Sequence, residues 1–119
     1  DNGWGTITHQ PFLKKNIANL QNAGIRVSLF IDPIEDRILA AKDTGAERIE
    51  FYTGPYAHNF VSDKKNAIKP FAKSAQICQN IGLGINAGHD LNLQNLNYFK
   101  IGFILKYFFI TLELFMHWF

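Results

Sequence analysis

An α/β chain with parallel strands follows from three features of the sequence. Apolar residues at helical spacing alternate with short β-branched runs, and each helical stretch stops at a glycine, Gly24, Gly45 or Gly82, just before such a run. Polar residues then gather at the C-terminal ends of the runs, at Asp32, at 50–53 and at 86–90. Such alternation implies right-handed crossovers, in an open doubly wound sheet or in part of a closed barrel.

Residues 1–6 read as a loop without an initiator methionine, so the start is expected to be the inside of a longer protein, and no signal peptide precedes the first element. Pro11 opens a helix in which Leu13, Ile17 and Leu20 share a face. The run 25–31 is β-branched and aromatic enough for a strand buried on both faces. At Asp32-Pro33-Ile34-Glu35, Asp32 can accept from orphan amides and Pro33 needs no partner, so a helix presenting Ile34, Ile38 and Ala41 begins there.

Residues 47–53 form the second expected strand and 54–59 a loop. Pro70 suggests that the regular part of the next helix begins at that residue, with 62–69 frayed or a separate turn. That helix presents Phe71, Ala72, Ala75 and Cys78 and ends at Gly82, before a strand at 83–87. A shorter helix over 91–99, capped by Asp90, completes the series.

With 119 residues, 47% apolar, the chain suits one small domain and has ample material for a core. A net charge of +2 argues against nucleic acid as a partner, and Lys64, Lys65, Lys69 and Lys73 read as a solvated helix face or, alternatively, a phosphate-attracting patch. Cys78 stands alone among apolar residues, which points to a reducing compartment and a buried structural thiol. Residues 101–119 are almost wholly apolar and approach the about 20 residues of a membrane span. Lys106 and Glu113 would each cost about 2 to 3 kcal/mol near a bilayer centre, so a span is the disfavoured reading.

Strand alternation sends Arg48, Glu50 and Tyr52 to one side and Ile49, Phe51 and Thr53 to the other. Glu50 is then either an ion-pair partner of Arg48 or of a helix residue, or a carboxylate in the mouth of a barrel that holds a developing cation. His89 follows Gly88 at the end of a buried strand and is either a surface residue or a proton-transfer group. Asp90 is most simply a helix cap, though its amide can contribute to an anion site. His9, His58 and His117 lack metal-ligand spacing, and no metal is expected.

Three ordered motifs carry a resemblance: Gly24-Ile25-Arg26-Val27-Ser28-Leu29-Phe30-Ile31-Asp32, Ile49-Glu50-Phe51-Tyr52-Thr53-Gly54-Pro55-Tyr56-Ala57 and Gly82-Leu83-Gly84-Ile85-Asn86-Ala87-Gly88-His89-Asp90-Leu91. Over about residues 1–99 the chain resembles the later part of the pyridoxine 5′-phosphate synthase family. The resemblance implies a partial (β/α)8 TIM barrel, about strands five to seven with flanking helices. It also implies condensation of 1-deoxy-D-xylulose 5-phosphate with 3-amino-2-oxopropyl phosphate to pyridoxine 5′-phosphate, phosphate and water. Glu50 matches the family's transition-state-stabilising carboxylate, His89 its proton donor, and Asp90 a position that contacts the aminoketone phosphate. No cofactor is implied, the enzyme is expected in the cytoplasm, and a homo-oligomer is expected of the intact enzyme.

Two departures stand out. The family's first four strands have no counterpart, and a barrel needs about 250 residues, so the chain alone is expected to be inactive and prone to associate. Residues 100–119 read as a separate aromatic tail, in which Ile101-Gly102-Phe103 replaces the family's Ile-Gly-His phosphate-binding turn. Two further readings stay open: another phosphate-handling β/α-barrel aldolase or isomerase, and a non-catalytic membrane-associated fragment.

Overall fold

The computed structural model describes residues 3–104 and 110–112. The elements are α1 Gln10–Asn22, β1 Ser28–Ile31, α2 Glu35–Asp43, β2 Arg48–Phe51, α3 Gly54–Ile81, β3 Gly84–Ala87, α4 Leu96–Ile104 and β4 Ile110–Leu112. The strands pair in parallel in sequence order. One row of the register sets Phe30, Glu50, Asn86 and Thr111 side by side.

Period-two alternation sorts each of β1, β2 and β3 into a buried and an open face. Leu29, Ile31, Ile49, Phe51, Ile85 and Ala87 join one core with Leu13 and Ile17 of α1, Ile38 and Ala41 of α2, Phe71, Ala75 and Cys78 of α3, and Phe99 of α4. The four helices therefore cover the same side of the sheet. Behind β2 the core is aromatic, with Tyr56 and Phe99 ring centroids 4.8 Å apart and Phe51 edge-on to Phe71 at 5.8 Å. The opposite face carries Ser28, Phe30, Arg48, Glu50, Gly84 and Asn86, all half-buried or exposed.

The helix stops lie where glycines mark them: Gly24, Gly45 and Gly82 have φ of 78°, 91° and 71°, a left-handed backbone open to glycine at little cost. Other expectations are corrected. The first strand is fully buried on one face only: on the other, Ser28 is exposed and Phe30 half-buried. Asp32 does not cap α2, which begins at Glu35 behind an extended Ile34; its carboxylate instead pairs with the Arg37 guanidinium. Residues 54–59 are helical rather than loop, and Pro70 lies inside α3. The break comes at Asp63 (φ −155°, ψ 79°), whose carboxylate accepts from the Asn66 amide and is held below the usual carboxylate range by that bond. After β3 the chain makes turns before α4, which crosses residue 100, and β4 adds a fourth strand where a closing helix was expected to be the last element.

Candidate active site at the strand ends

Glu50 and Asn86 are register partners on the open face, near the C-terminal ends of adjacent strands. Arg48, two residues before Glu50, lies across toward β3: its Nε donates to Asn86 Oδ1 at 2.9 Å and its Nη2 to the Ile85 carbonyl at 2.9 Å. Asn86 Nδ2 in turn donates to Ser28 Oγ at 3.3 Å, so one polar chain spans three strands. Gly84 makes room for it, since a Cβ there would stand 2.5 Å from Arg48 Nη1. The Asn86 amide is thereby held beside Glu50.

His89 sits just past β3, anchored at its main chain and bounded at its ring. The hydroxyl of Thr53, fully buried between β2 and α3, donates to the His89 carbonyl. The imidazole packs against Phe30 and Tyr52, with centroids 5.9 and 5.6 Å away. Tyr52 lies over Gly54, where a Cβ would come within 2.7 Å of the phenol ring. His89 Nδ1 lies 2.8 Å from Asp90 Oδ2. Residues from three strand ends thus converge around one imidazole.

Asp90 is not the helix cap that the sequence suggests. It has φ of 59°, its carboxylate faces the histidine ring, and α4 begins six residues later. Asn92 takes the capping work, its Oδ1 accepting from the amides of Gln94 and Asn95 at 2.9 and 3.0 Å. Buried Asn95 ties the turn down by donating to the Asp90 carbonyl at 3.2 Å and accepting from the Asn92 amide at 2.8 Å. The Tyr56 hydroxyl donates to the Asn95 carbonyl at 2.7 Å, and burial pushes that phenol up to about 12.

An open cavity of about 290 Å³ lined by Gly3, Trp4, Gly5, His9 and Phe30 adjoins the end of β1, where the Trp4 amide donates to the Phe30 carbonyl at 2.7 Å. Phe30 is common to this cavity and to the His89 contact. Sequence reasoning placed Thr53 and Asn86 among the polar strand-end residues and Arg48 as an ion-pair candidate for Glu50, but it did not join Arg48, Asn86 and Ser28 into one chain, nor single out Asn95. The signal available for that chain was the alternation that puts Arg48 and Asn86 on one face with glycine opposite Arg48.

Elsewhere, the lysine run is exposed on α3, with Lys73 3.7 Å from Glu35 and Lys64 over the Tyr98 ring at 5.1 Å, as a solvated face would be. Cys78 is fully buried and its thiol is pushed up to about 12 by that burial. Among the described residues no helix is long and apolar enough to cross a membrane, and no three His, Cys, Asp or Glu side chains gather as a metal site would require.

The family model described as pyridoxal phosphate biosynthesis protein PdxJ matches residues 1–107, eight beyond the end of the three motifs' resemblance. The chain is 50% identical over 100 residues to a pyridoxine 5′-phosphate synthase of Christiangramia forsetii, covering 84% of this chain and 42% of that protein. It is 54% identical over 98 residues to one of Cytophaga hutchinsonii (82% and 41%) and 42% identical over 99 residues to one of Bacteroides fragilis (83% and 42%). The chain thus spans about two fifths of the length of the curated relatives it matches. With the match running through every strand that builds the site, this chain belongs to the PdxJ family of pyridoxal phosphate biosynthesis proteins.

Proposed function

We propose that this chain carries one part of the active site of a pyridoxine 5′-phosphate synthase, which condenses 1-deoxy-D-xylulose 5-phosphate with 3-amino-2-oxopropyl phosphate. The observation that carries the reading is the placement of Glu50 and His89 at the C-terminal ends of adjacent parallel strands, Glu50 in register with Asn86 and His89 three residues further on. That is the end of the strands where β/α barrels do their chemistry. Helices on one face and polar side chains on the other favour a segment of a (β/α)8 barrel over a doubly wound sheet, which carries helices on both faces.

Ring closure passes through imines, enols and dehydrations, each needing a proton moved at a defined place. In this reading the His89 imidazole gives a proton to a departing hydroxyl, so that water leaves, and the Glu50 carboxylate stabilises the cationic character that develops beside it. The residue at position 90 contacts the phosphate of the aminoketone through its backbone, because its carboxylate would repel that group. The remaining strands and phosphate-binding turns belong to the rest of the barrel, and the enzyme is a cytoplasmic homo-oligomer.

The test is to join residues 1–99 to the missing portions of the Cytophaga hutchinsonii relative and measure pyridoxine 5′-phosphate formation. Glu50→Gln and His89→Asn are each expected to lower turnover by about a hundredfold to ten-thousandfold. Unchanged turnover in both variants sinks the site assignment.

A further inference from the structure

We infer that Asp90 is a positioning residue that fixes the tautomer and aim of the His89 imidazole; the inference deepens, and for its catalytic consequence rests on, the proton-donor reading of His89. An ionised carboxylate only accepts, so with Oδ2 2.8 Å from Nδ1 the shared proton belongs to Nδ1. Nε2 is then the exchanging nitrogen: bare in the neutral ring, proton-bearing in the charged one. Free imidazole side chains prefer the opposite tautomer, with the proton on Nε2.

The geometry is held from several directions. Asp90 is the one non-glycine residue with positive φ among those described, at 59°. That backbone costs an L-residue about 1–2 kcal/mol, and a glycine would adopt it freely. It persists because the Thr53 hydroxyl fixes the His89 carbonyl and Asn95 Nδ2 the Asp90 carbonyl. Phe30 and Tyr52 restrict rotation of the ring.

The two side chains remain 43% and 49% exposed, so their attraction is screened by water and is worth little as an ion pair. The contact therefore bears on the protonation pattern of the ring more than on stability. Neither the histidine nor the aspartate needs a ligand for this effect, so it is measurable in the chain itself.

Long-range ¹H–¹⁵N correlation spectra of the labelled full chain, at a pH where imidazoles are neutral, report which ring nitrogen carries the proton; His89→Gln assigns the signals. The expected result is Nδ1–H on His89. Asp90→Gly, which relaxes the backbone and so preserves the fold, shifts His89 to mainly Nε2–H without changing His9 or His58. Asp90→Asn, which keeps a carbonyl acceptor, retains Nδ1–H. A wild-type ring already mainly Nε2–H, or one that glycine leaves unchanged, overturns the inference.

In the completed barrel Asp90→Gly is expected to lower kcat about tenfold, the scale of losing a partner that orients a functional histidine, and Asp90→Asn to retain most of it; KM also reports the phosphate contact at position 90 and is not the readout. An unaltered kcat overturns the positioning role as well. The two readings fail separately: a tautomer shift in barrels that make no product supports the positioning and refutes the synthase reading. A constant tautomer in a barrel whose turnover depends on Glu50 and His89 refutes the positioning alone.

Discussion

Replacing Tyr56 by phenylalanine should destabilise the protein at neutral pH and stabilise it in strong alkali, with a change of sign in between. The side chain is fully buried, ringed by Phe60, Phe71 and Phe99, and its hydroxyl donates to the Asn95 carbonyl at 2.7 Å. Losing that bond costs about 1 kcal/mol wherever the phenol is neutral. Burial, and next the neighbouring Tyr98, pushes the phenol from 10.0 to about 12. The unfolded chain therefore sheds this proton above pH 10, while the folded chain holds it to about pH 12.

Above pH 10 the unfolded state binds fewer protons, so stability falls as pH rises. The contribution is complete below pH 10 and is lost through the window up to about pH 12. At about 1.4 kcal/mol per unit the whole window is worth about 2.7 kcal/mol, and the first 1 kcal/mol has gone by about pH 10.7. Phenylalanine has neither the bond nor the proton, and Cys78 and the other titrating groups are common to both proteins. Urea midpoints for the two proteins, measured at intervals from pH 8 upward, should cross at about pH 10.5 to 11. A difference that stays constant through pH 12 refutes the argument, because it would mean that the phenol ionises alike in both states.

Gly84→Ala places a Cβ 2.5 Å from Arg48 Nη1 and displaces the guanidinium from Asn86 and Ile85, costing about 1–2 kcal/mol in urea unfolding. The same change in an Arg48→Ala background should cost much less, and equal penalties would refute the clash. Thr53→Val removes the hydroxyl that holds the His89 carbonyl; amide exchange at 88–90 should quicken while global stability falls by about 1–2 kcal/mol. Cys78, buried and with its thiol raised to about 12, should react with a thiol reagent at pH 8 at least about a hundredfold more slowly in the folded chain than in urea.

The glycine stops and the strand faces are legible because each has a local cause. A left-handed residue ends a helix whatever surrounds it, and the alternation of Ile49 and Phe51 with Arg48 and Glu50 is a property of the extended chain. The capping aspartates were misread because a carboxylate after a strand end has two uses and the sequence does not rank them. Asp32 is taken by Arg37, five residues on, and Asp90 by the histidine before it. Pro70 pointed to a helix start, yet the break falls where Asp63 accepts from the Asn66 amide and leaves the ladder. The first strand is shorter than its hydrophobic run because its ladder begins only where Ser28 meets Arg48 of β2; half-exposed Ile25 belongs to the connection. Glu50 and His89 were legible as candidates from their positions at strand ends, but Thr53, Asn95 and Tyr56 act through contacts 36 to 39 residues apart in sequence, which spacing cannot reveal.

The open face argues for what kind of surface must complete the site. Parallel sheets are ordinarily covered on both sides, and a second layer of helices would press apolar side chains onto Phe30, Glu50, Asn86 and Arg48. That would strip water from a carboxylate and a guanidinium, and desolvating a charge costs several kcal/mol that a partner only partly repays. In the proposed barrel, strands that curve round to face this row would instead enclose it with further polar side chains and water, keeping the charges solvated and leaving room for a substrate. In the proposed barrel the polar row would serve closure as well as chemistry. Replacing Glu50 and Arg48 together by leucine should therefore stabilise the isolated chain in a flat, associating form while removing activity from the completed barrel; a chain that remains monomeric with both leucines in place would refute the link between this row's polarity and closure.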